Sequence, residues 1–320
     1  MPWQPHDAHF SSPSCLPCDN ELVYVPARNA LESLFVQKII VPLVSVIIPT
    51  YNRRSVLERA ICSVLSQTFN DFELIVVDDG STDSTPELLS KFDGKLYALH
   101  QENRGVSAAR NLGIRHSQGE LLAFLDSDDE WLPDKLACQT ALFECAGPLF
   151  VCHTDEIWLR EGKQVSQKTI HVKQGGHFFE RALERCLISP SSVMISRALF
   201  DVVGQFDEEL TAAEDYDLWL RITAFHQVHF VPEPLVVKHG GCGGQLSQTV
   251  PAIDRFRIRS IEKILALPEL REDHRRAAVG ELIHKCEIVA SGCEKRGKKL
   301  EAEKYRALAR SYQGASSGPS

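Results

Sequence analysis

The amino-acid sequence predicts an α/β fold, in which helices flank a mostly parallel β-sheet and a helical extension follows at the C-terminus. Two observations predict the sheet. Short apolar runs alternate with segments of helical periodicity between residues 44 and 125, which is typical of βαβ units. The runs are also apolar at nearly every position, as in strands that are buried on both faces. With 320 residues, 43% of them hydrophobic, the chain can form one large domain or two ordinary ones around a substantial core.

The first half of the chain carries the regular part of this pattern. Its predicted strands are VSVIIP, ELIVVD, LYALHQ and LLAFLD, and the helices between them are RSVLERAICSVLSQ, STPELLSKF and GVSAARNLGIRHS. In the first helix, apolar side chains recur at i, i+4 and i+8 and form one stripe that faces the sheet. The stripe consists of Val56, Leu57, Ala60, Ile61, Val64 and Leu65.

The second half is less regular. LFVCHTDEIWL and SSVMIS are predicted as strands, HFFERALERCL and EDYDLWLRITAF as helices, and HFVPEPLVVKH as a strand with a proline-marked turn. We expect an irregular N-terminal arm over residues 1–42 and a charged helical C-terminal extension over residues 246–313. Residues 314–320 end the chain in Gly and Ser, which indicates a disordered tail.

Composition excludes several classes of partner. The net charge of −8 gives no general attraction to nucleic acid. The longest apolar runs are far shorter than the roughly 20 residues that span a bilayer, and the N-terminus lacks the pattern of a secretory signal. We therefore expect a cytoplasmic protein with reduced thiols. The basic run KRGKK at 295–299 indicates a solvated helix end or, alternatively, a peripheral contact with the inner face of the membrane.

Polar turns follow the predicted strands. They are PTYN at 49–52, DDGSTD at 78–83, QENRG at 101–105 and DSDD at 126–129. Ligands of an open parallel sheet bind at the carboxyl ends of its strands, so these turns should meet at one edge. The DSDD carboxylates repel one another unless a metal ion, a basic partner or solvent compensates them. A nucleoside diphosphate at this edge would require Mg²⁺ or Mn²⁺, held by one or two carboxylates and completed by phosphate oxygens.

Competing ligand-binding motifs are absent from the sequence. No G-x-G-x-x-G follows the first strand, which argues against a dinucleotide site, and no G-x-x-x-x-G-K-[ST] phosphate loop exists. The segment that begins at DSDD has Trp131 where a calcium-binding EF-hand loop requires glycine.

Taken together, five segments resemble the family 2 glycosyltransferases with the GT-A fold, a Rossmann-like arrangement, in the same order and with similar spacing. The segments are VSVIIPTYNR, LSQTFNDFELIVVDDGSTDST, NRGVSAARNLGI, GELLAFLDSDDEWLPDKL and EDYDLWLR. The resemblance covers roughly residues 44–240. It implies a GT-A domain over residues 43–245, with a nucleotide-binding half at 43–136 and an acceptor half at 137–245.

The resemblance also implies roles for residues at the nucleotide end. Pro49, Thr50 and Tyr51 match the loop that lines the nucleoside pocket. Asp79 matches the carboxylate that hydrogen-bonds the base, and Arg110 matches a basic residue near the nucleotide.

The same comparison implies the reacting groups. Asp126 and Asp128 match the D-x-D motif of the family, the first near the ribose and sugar and the second on the metal, although Asp129 is an alternative metal ligand. Asp215 matches the general base that takes the proton of the acceptor hydroxyl. His239 is a further candidate for contact with the metal or the diphosphate, and the Gly-rich GGCGGQLS after it is a candidate lid.

The expected activity is a metal-dependent, inverting transfer of one sugar from a nucleotide sugar, a UDP-sugar, to a glycan, lipid-linked or protein acceptor in cell-surface glycan synthesis. The Q-x-x-R-W segment of processive members is absent, which favours transfer of a single sugar. Two alternatives remain open: a sugar nucleotidyltransferase, against which PTYNRR argues because it has no glycine, and a nucleotide-sugar-binding protein without turnover.

Overall fold

The structure is a computed structural model, and it describes residues 41–166, 171–240 and 252–315. Within these ranges, the strands form one nine-stranded sheet in the order β3-β2-β1-β4-β8-β6-β9-β5, with β7 paired to β6. The strands are β1 (Val44–Thr50), β2 (Phe72–Asp78), β3 (Tyr97–His100), β4 (Leu121–Phe124), β5 (Glu130–Trp131), β6 (Val151–Arg160), β7 (Lys163–Val165), β8 (Val193–Ser196) and β9 (His229–Gly240).

Helices connect and flank these strands. They are α1 (Arg54–Leu65), α2 (Thr85–Leu89), α3 (Val106–His116), α4 (Lys135–Ala146), α5 (Phe179–Glu184), α6 (Arg197–Val203), α7 (Glu214–Thr223), α8 (Asp254–Leu265), α9 (Glu272–Lys295) and α10 (Lys299–Ala315).

The first four strands confirm the predicted parallel arrangement. β1 pairs in parallel with both β2 and β4, and β2 pairs in parallel with β3. All seven residues of β1 are buried, as expected for a strand that is covered on both faces. β9 joins β6 in parallel, whereas β5, β7 and β8 pair in antiparallel orientation. The α/β class with helices around a mostly parallel sheet is therefore confirmed.

Two hydrophobic cores explain why these strands are apolar throughout. Ile47 of β1 belongs to the core that contains α3 and α5–α10, whereas its neighbours Val46 and Ile48 belong to the core that contains α1, α2 and α4. Adjacent residues of a strand point to opposite faces, so β1 contributes to both cores. β3 differs, because it lies at the edge of the sheet and is mostly exposed. The predicted stripe of α1 lies in the second core, where Leu57 and Ile61 are fully buried.

The helical C-terminal extension is confirmed by α8, α9 and α10, and α8 packs against α7. Lys263 of α8 contacts Asp217 of α7 with an Nζ–Oδ1 distance of 2.6 Å. The predicted N-terminal arm lies almost wholly outside the described residues, as do the GGCGGQLS segment after Gly240 and most of the predicted C-terminal tail. The predicted boundaries between arm, domain halves and extension remain predictions.

Candidate active site

A cavity of about 710 Å³ opens at the carboxyl ends of β1, β2 and β4. Tyr51 follows β1, Asp79 follows β2 and the DSDD turn follows β4, and all of them line it. Parallel strands of one sheet end at the same edge, which is why segments distant in sequence meet here. Pro49 and Thr50 also line the cavity, although they are the last two residues of β1 and do not belong to a loop as the resemblance implied.

Asp79 organises the loop between β3 and α3 at the edge of the cavity. Its carboxylate accepts hydrogen bonds from the backbone N–H groups of Arg104 and Gly105, both at 2.9 Å, and from Nε2 of Gln101 at 2.6 Å. Gly105 has a φ of 92° and directly precedes α3, a conformation that side chains other than hydrogen disfavour. Asp79 therefore holds the start of α3 and the cavity wall in place.

Arg110 bridges two carboxylates. Its guanidinium lies 2.7 Å from Oδ1 of Asp126 and 2.7 Å from Oε1 of Glu214, and only 3% of its side chain is exposed. Burial favours the neutral guanidine, but Asp126 and Glu214 outweigh this effect and raise the pKa of Arg110. Burial likewise favours neutral Asp126, but Arg110 and Lys238 hold its pKa below the usual value. Arg110 thus keeps the first DSDD carboxylate ionised.

Asp128 and Asp129 have different surroundings. Asp128 lines the cavity, and its Oδ2 lies 3.7 Å from Nη1 of Arg53. Asp129 is buried, accepts a hydrogen bond of 2.5 Å from Oγ of Ser191 and lies 2.9 Å from Nζ of Lys238. Burial raises the pKa of Asp129 to about 6, although Lys238 acts in the opposite direction. Asp128 is more exposed than Asp129 and lies farther from its cationic neighbour, 3.7 Å against 2.9 Å, so of these two carboxylates it is the better candidate for a metal ligand.

The protein side chains around Asp128 can hold a divalent metal ion only when a bound ligand supplies most of the atoms that coordinate the metal. No group of three or more His, Cys, Asp or Glu side chains arranged to hold a metal occurs among the described residues. Mg²⁺ commonly takes one or two carboxylates and completes its shell with substrate phosphates and water. Asp128 can serve such a site together with a bound diphosphate.

Asp215 faces the same cavity from the first turn of α7. Its carboxylate accepts hydrogen bonds from the backbone N–H of Tyr216 at 2.7 Å and from Sγ of Cys186 at 3.2 Å. Burial and the charge of Asp215 raise the pKa of Cys186 well above its ordinary value, so the thiol stays protonated and donates. The preceding residue, Glu214, also lines the cavity and pairs with Arg110.

His239 does not line this cavity. Its Nε2 lies 3.2 Å from Oε2 of Glu130, and its contact with a metal stays a prediction. The neighbouring Lys238 lines the cavity instead. The structure thus brings together every other predicted site residue: Pro49, Thr50, Tyr51, Asp79, Arg110, Asp126, Asp128 and Asp215.

Sequence reasoning missed several charged side chains of the cavity. Arg53, Glu156, Lys173, Lys238 and the pairing role of Glu214 were not predicted. One signal was available in the sequence, because Glu156 is an acidic residue within the predicted strand LFVCHTDEIWL. It lies two residues before Trp158, and side chains two positions apart on a strand point to the same face. The partners of these residues lie too far along the chain to be found from local patterns.

The comparisons identify the family. The sequence model of glycosyl transferase family 2 matches residues 45–204, and the chain belongs to this family. A curated relative, the teichuronic acid biosynthesis glycosyltransferase TuaG of Bacillus subtilis, is 34% identical over 57% of this chain and 72% of its own length.

Other curated relatives are also named as glycosyltransferases. The UDP-Glc:alpha-D-GlcNAc-diphosphoundecaprenol beta-1,3-glucosyltransferase WfgD of Escherichia coli is 34% identical over 56% of this chain and 69% of its own length. An uncharacterized glycosyltransferase of Rickettsia felis is 37% identical over 60% of this chain. The chain spans only about a third of that relative, 32% of its length.

Solved structures confirm the GT-A-like fold. S. aureus TarS 1-349 in complex with UDP-GlcNAc superposes with a TM-score of 0.61 at 20% identity and covers 85% of this chain and 92% of its own. The mannosyltransferase PcManGT from Pyrobaculum calidifontis, in complex with GDP-Man and Mn²⁺, has a TM-score of 0.56 at 19% identity and covers 85% of this chain and 84% of its own. At these identities, the likeness establishes the fold alone.

Proposed function

We propose that this protein is a metal-dependent, inverting glycosyltransferase that transfers one sugar from a UDP-sugar to a hydroxyl acceptor in cell-surface glycan synthesis. One observation carries the proposal: Asp79, the DSDD turn and Asp215 line a single cavity at the carboxyl edge of the sheet. The cavity combines a polar end that suits a nucleoside, an acidic centre that suits a cation-bound diphosphate, and a separate carboxylate that suits a base.

The names of the relatives support the choice of substrates. WfgD is named for a UDP-Glc donor and a diphosphoundecaprenol-linked acceptor, and TuaG is named for teichuronic acid biosynthesis. TarS was crystallised with UDP-GlcNAc, whereas the solved structure of PcManGT is a complex with GDP-Man and Mn²⁺. Within the described residues, no helix has the length and apolar character needed to cross a membrane.

Donor binding begins at the end of β1. Pro49, Thr50 and Tyr51 contact the nucleoside, and Asp79 accepts a hydrogen bond from the base. Asp126, kept ionised by Arg110, accepts hydrogen bonds from hydroxyl groups of the ribose and the sugar. Asp128 would hold the divalent ion beside the diphosphate. When bound, such an ion acts as a Lewis acid that stabilises the negative charge of the departing diphosphate.

The acceptor reacts on the side of Asp215. The Asp215 carboxylate accepts the proton of the acceptor hydroxyl while that oxygen attacks the anomeric carbon and the bond to the diphosphate breaks. A single in-line displacement of this kind inverts the anomeric configuration. The hydrogen bonds from Tyr216 N–H and Cys186 Sγ hold the carboxylate in one orientation, which favours proton transfer because geometry limits general-base catalysis.

Thermal unfolding with a panel of nucleotide sugars tests donor binding. A ligand that binds only the folded state raises the unfolding midpoint. We expect a UDP-sugar to raise the midpoint in the presence of Mn²⁺ and to have a smaller effect in EDTA. The proposal fails if no UDP-, GDP- or TDP-sugar changes the midpoint with or without the metal.

The exchange Asp215→Asn tests the base. The amide has the shape of the carboxylate but accepts protons poorly, so transfer should fall by at least about 100-fold while UDP binding is retained. Asp273→Asn is the matched control, because Asp273 also lies at the second position of a helix, α9, and does not line the cavity. Unchanged turnover in the Asp215 variant would remove this residue from the mechanism.

A further inference from the structure

A group of aromatic and charged side chains lines the cavity beyond the DSDD turn, and none of the roles above uses it. It consists of Glu156 and Trp158 on β6 and of His171 and Lys173 in the segment after β7, and we call it the β6 cluster. In the sheet order β2-β1-β4-β8-β6, β6 lies two strands beyond β4. At a strand spacing of about 4.8 Å, this is about 10 Å from the DSDD turn, on the side opposite the nucleoside end.

Glu156 is an ionised carboxylate that is held rigidly. Its side chain is only 2% exposed and lies 2.9 Å from Nζ of Lys173. It also accepts hydrogen bonds from Nε1 of Trp158 at 3.0 Å and from Oγ of Ser189. Burial alone would raise the pKa of Glu156, but Lys173 and Lys238 lower it to about 2. A buried ion pair contributes little net stability, so its position on a cavity wall requires another explanation.

Trp158 and His171 supply an aromatic wall beside this ion pair. Both are half-buried, and their ring centroids lie 5.5 Å apart. Glu156 and Trp158 point to the same face of β6 because they are two residues apart. The register between β6 and β9 shifts on both sides of Asp155, and such bulges often reorient side chains next to active sites.

This combination matches the surface of a sugar ring. A pyranose has an apolar face of C–H groups and a rim of hydroxyl groups, and binding sites of small ligands pair aromatic walls with a few rigid polar groups. The segment from Cys186 to Ser191 connects the β6 cluster with the reacting groups. Cys186 contacts Asp215, Ser189 contacts Glu156, and Ser191 contacts Asp129. Three residues span at most about 11 Å, so Asp215 and Glu156 are within reach of one disaccharide.

We propose that the β6 cluster is a binding subsite for a hexopyranose ring, in which Trp158 and His171 pack on the C–H face while Glu156 and Lys173 hydrogen-bond to the hydroxyl groups. The inference rests on the proposed glycosyltransferase function and adds the sugar-recognition residues to it. The ring belongs either to the donor, attached to the diphosphate, or to the acceptor. The chemistry of recognition is the same for both.

Calorimetric titration of the full chain in the presence of Mn²⁺ distinguishes a donor ring from an acceptor ring. The ligands are UDP, three UDP-hexoses (glucose, galactose and N-acetylglucosamine), and the corresponding methyl hexosides with and without UDP. The variants are Trp158→Leu and Glu156→Gln. The controls are Phe143→Leu, which removes a ring packed on Phe150 outside the cavity, and Glu301→Gln, which removes the partner of Arg255.

For a donor ring, the wild type binds a UDP-hexose more tightly than UDP, and both variants weaken UDP-hexose binding by about tenfold while UDP binding is unchanged. Glu156→Gln loses the charge of the group that accepts the hydrogen bond from the sugar, and Trp158→Leu loses the aromatic surface on which the ring packs. For an acceptor ring, the variants bind UDP and UDP-hexoses normally and weaken methyl hexoside binding by about tenfold. The controls bind every ligand as the wild type does.

Two results would overturn the subsite. One is equal affinity of wild type and variants for every sugar ligand, which would leave the β6 cluster a structural ion pair. The other is a wild type that gains no affinity from any hexose. If the wild type does not bind UDP, the proposed function fails separately. In that case, the affinities of wild type and variants for the methyl hexosides without UDP show whether the β6 cluster binds a hexopyranose.

Discussion

Arg110 is buried between the carboxylates of Glu214, which is also buried, and Asp126, which is partly exposed. Its replacement by Met leaves both carboxylates without their shared cation. The distances are 2.7 Å to Asp126 and 2.7 Å to Glu214, with 3% of the arginine side chain exposed. Removal of one partner from a buried ion pair costs about 3–5 kcal/mol, because the remaining charge is uncompensated. We expect Arg110→Met to lower the free energy of unfolding at pH 7 by about that amount, against a total of about 5–15 kcal/mol for ordinary domains.

The pH dependence of this loss identifies its cause. In the wild type, the pKa of Asp126 lies below that of the unfolded chain, so this carboxylate stabilises the fold above the unfolded pKa and ceases to do so as the pH falls through the folded pKa. In the variant, burial raises the pKa of Asp126, and raises that of Glu214 beyond its already elevated value. The folded variant then binds protons more readily than the unfolded chain, and its stability increases as the pH falls.

Urea unfolding at pH 7 and pH 5, followed by tryptophan fluorescence, measures both effects. The difference between wild type and Arg110→Met should shrink at pH 5, and the added exchange Glu214→Gln should restore part of the loss at pH 7. Arg259→Met is the control, because Arg259 forms an exposed pair of 3.5 Å with Glu209 that contributes about 1 kcal/mol or less. A loss that is equal at both pH values, or no larger than that of the control, would refute the reasoning.

Three further predictions concern single side chains. Burial lowers the pKa of Lys135 to about 7, whereas the unfolded chain has a pKa of about 10.4. The unfolded state therefore binds more protons between these values, wild-type stability should rise over that interval, and Lys135→Met should abolish the rise in melts at pH 7 and pH 10. Asp128→Asn should weaken the Mn²⁺-dependent rise in the unfolding midpoint with UDP. Asp129→Asn should instead lower the midpoint of the ligand-free protein, because it removes the partner of Lys238. Equal behaviour of the two variants would contradict the assignment of Asp128 as the metal ligand. Asp79→Ala should accelerate hydrogen exchange at the Gly105 amide and weaken UDP binding, and unchanged exchange would show that this contact does not hold the loop.

The first half of the fold was predictable because its signals are local. The apolar runs that became β1, β2 and β4 are largely buried strands, β3 is a mostly exposed edge strand, and polar turns follow their ends. The rule that parallel strands end at one edge was enough to bring Asp79 and Asp126 together. The resemblance to the family supplied Asp215, which no local pattern connects with that edge.

The side chains that complete the cavity depend on pairings that sequence spacing does not reveal. Lys238 reaches Asp129 across 109 positions, and it does so because β9 enters the sheet beside β6. The sequence analysis proposed His239, at the end of this strand, for contact with the metal or the diphosphate. Successive residues of a strand point to opposite faces, and the register of β9 directs Lys238 to the cavity and His239 to Glu130.

Arg110 makes contacts that the sequence did not predict. The resemblance implied a basic group near the nucleotide, whereas the structure pairs this residue with two acids. The guanidinium joins Asp126 of the DSDD turn to Glu214, the residue before the proposed base. It therefore fixes the separation between the two sides of the cavity without leaving its buried position.

The backbone at the start of α7 supports the same conclusion. Ala213 has a φ of 58°, and the left-handed conformation costs a residue with a side chain about 1–2 kcal/mol. Its carbonyl accepts the first hydrogen bond of α7, from the N–H of Asp217 at 3.1 Å, so the strained residue sets the direction in which the helix begins. Strain of this kind persists only where surrounding contacts over-determine it. Here the contact between Glu214 and Arg110 supplies that constraint, and its consequence is that Asp215 faces the cavity that holds the DSDD turn.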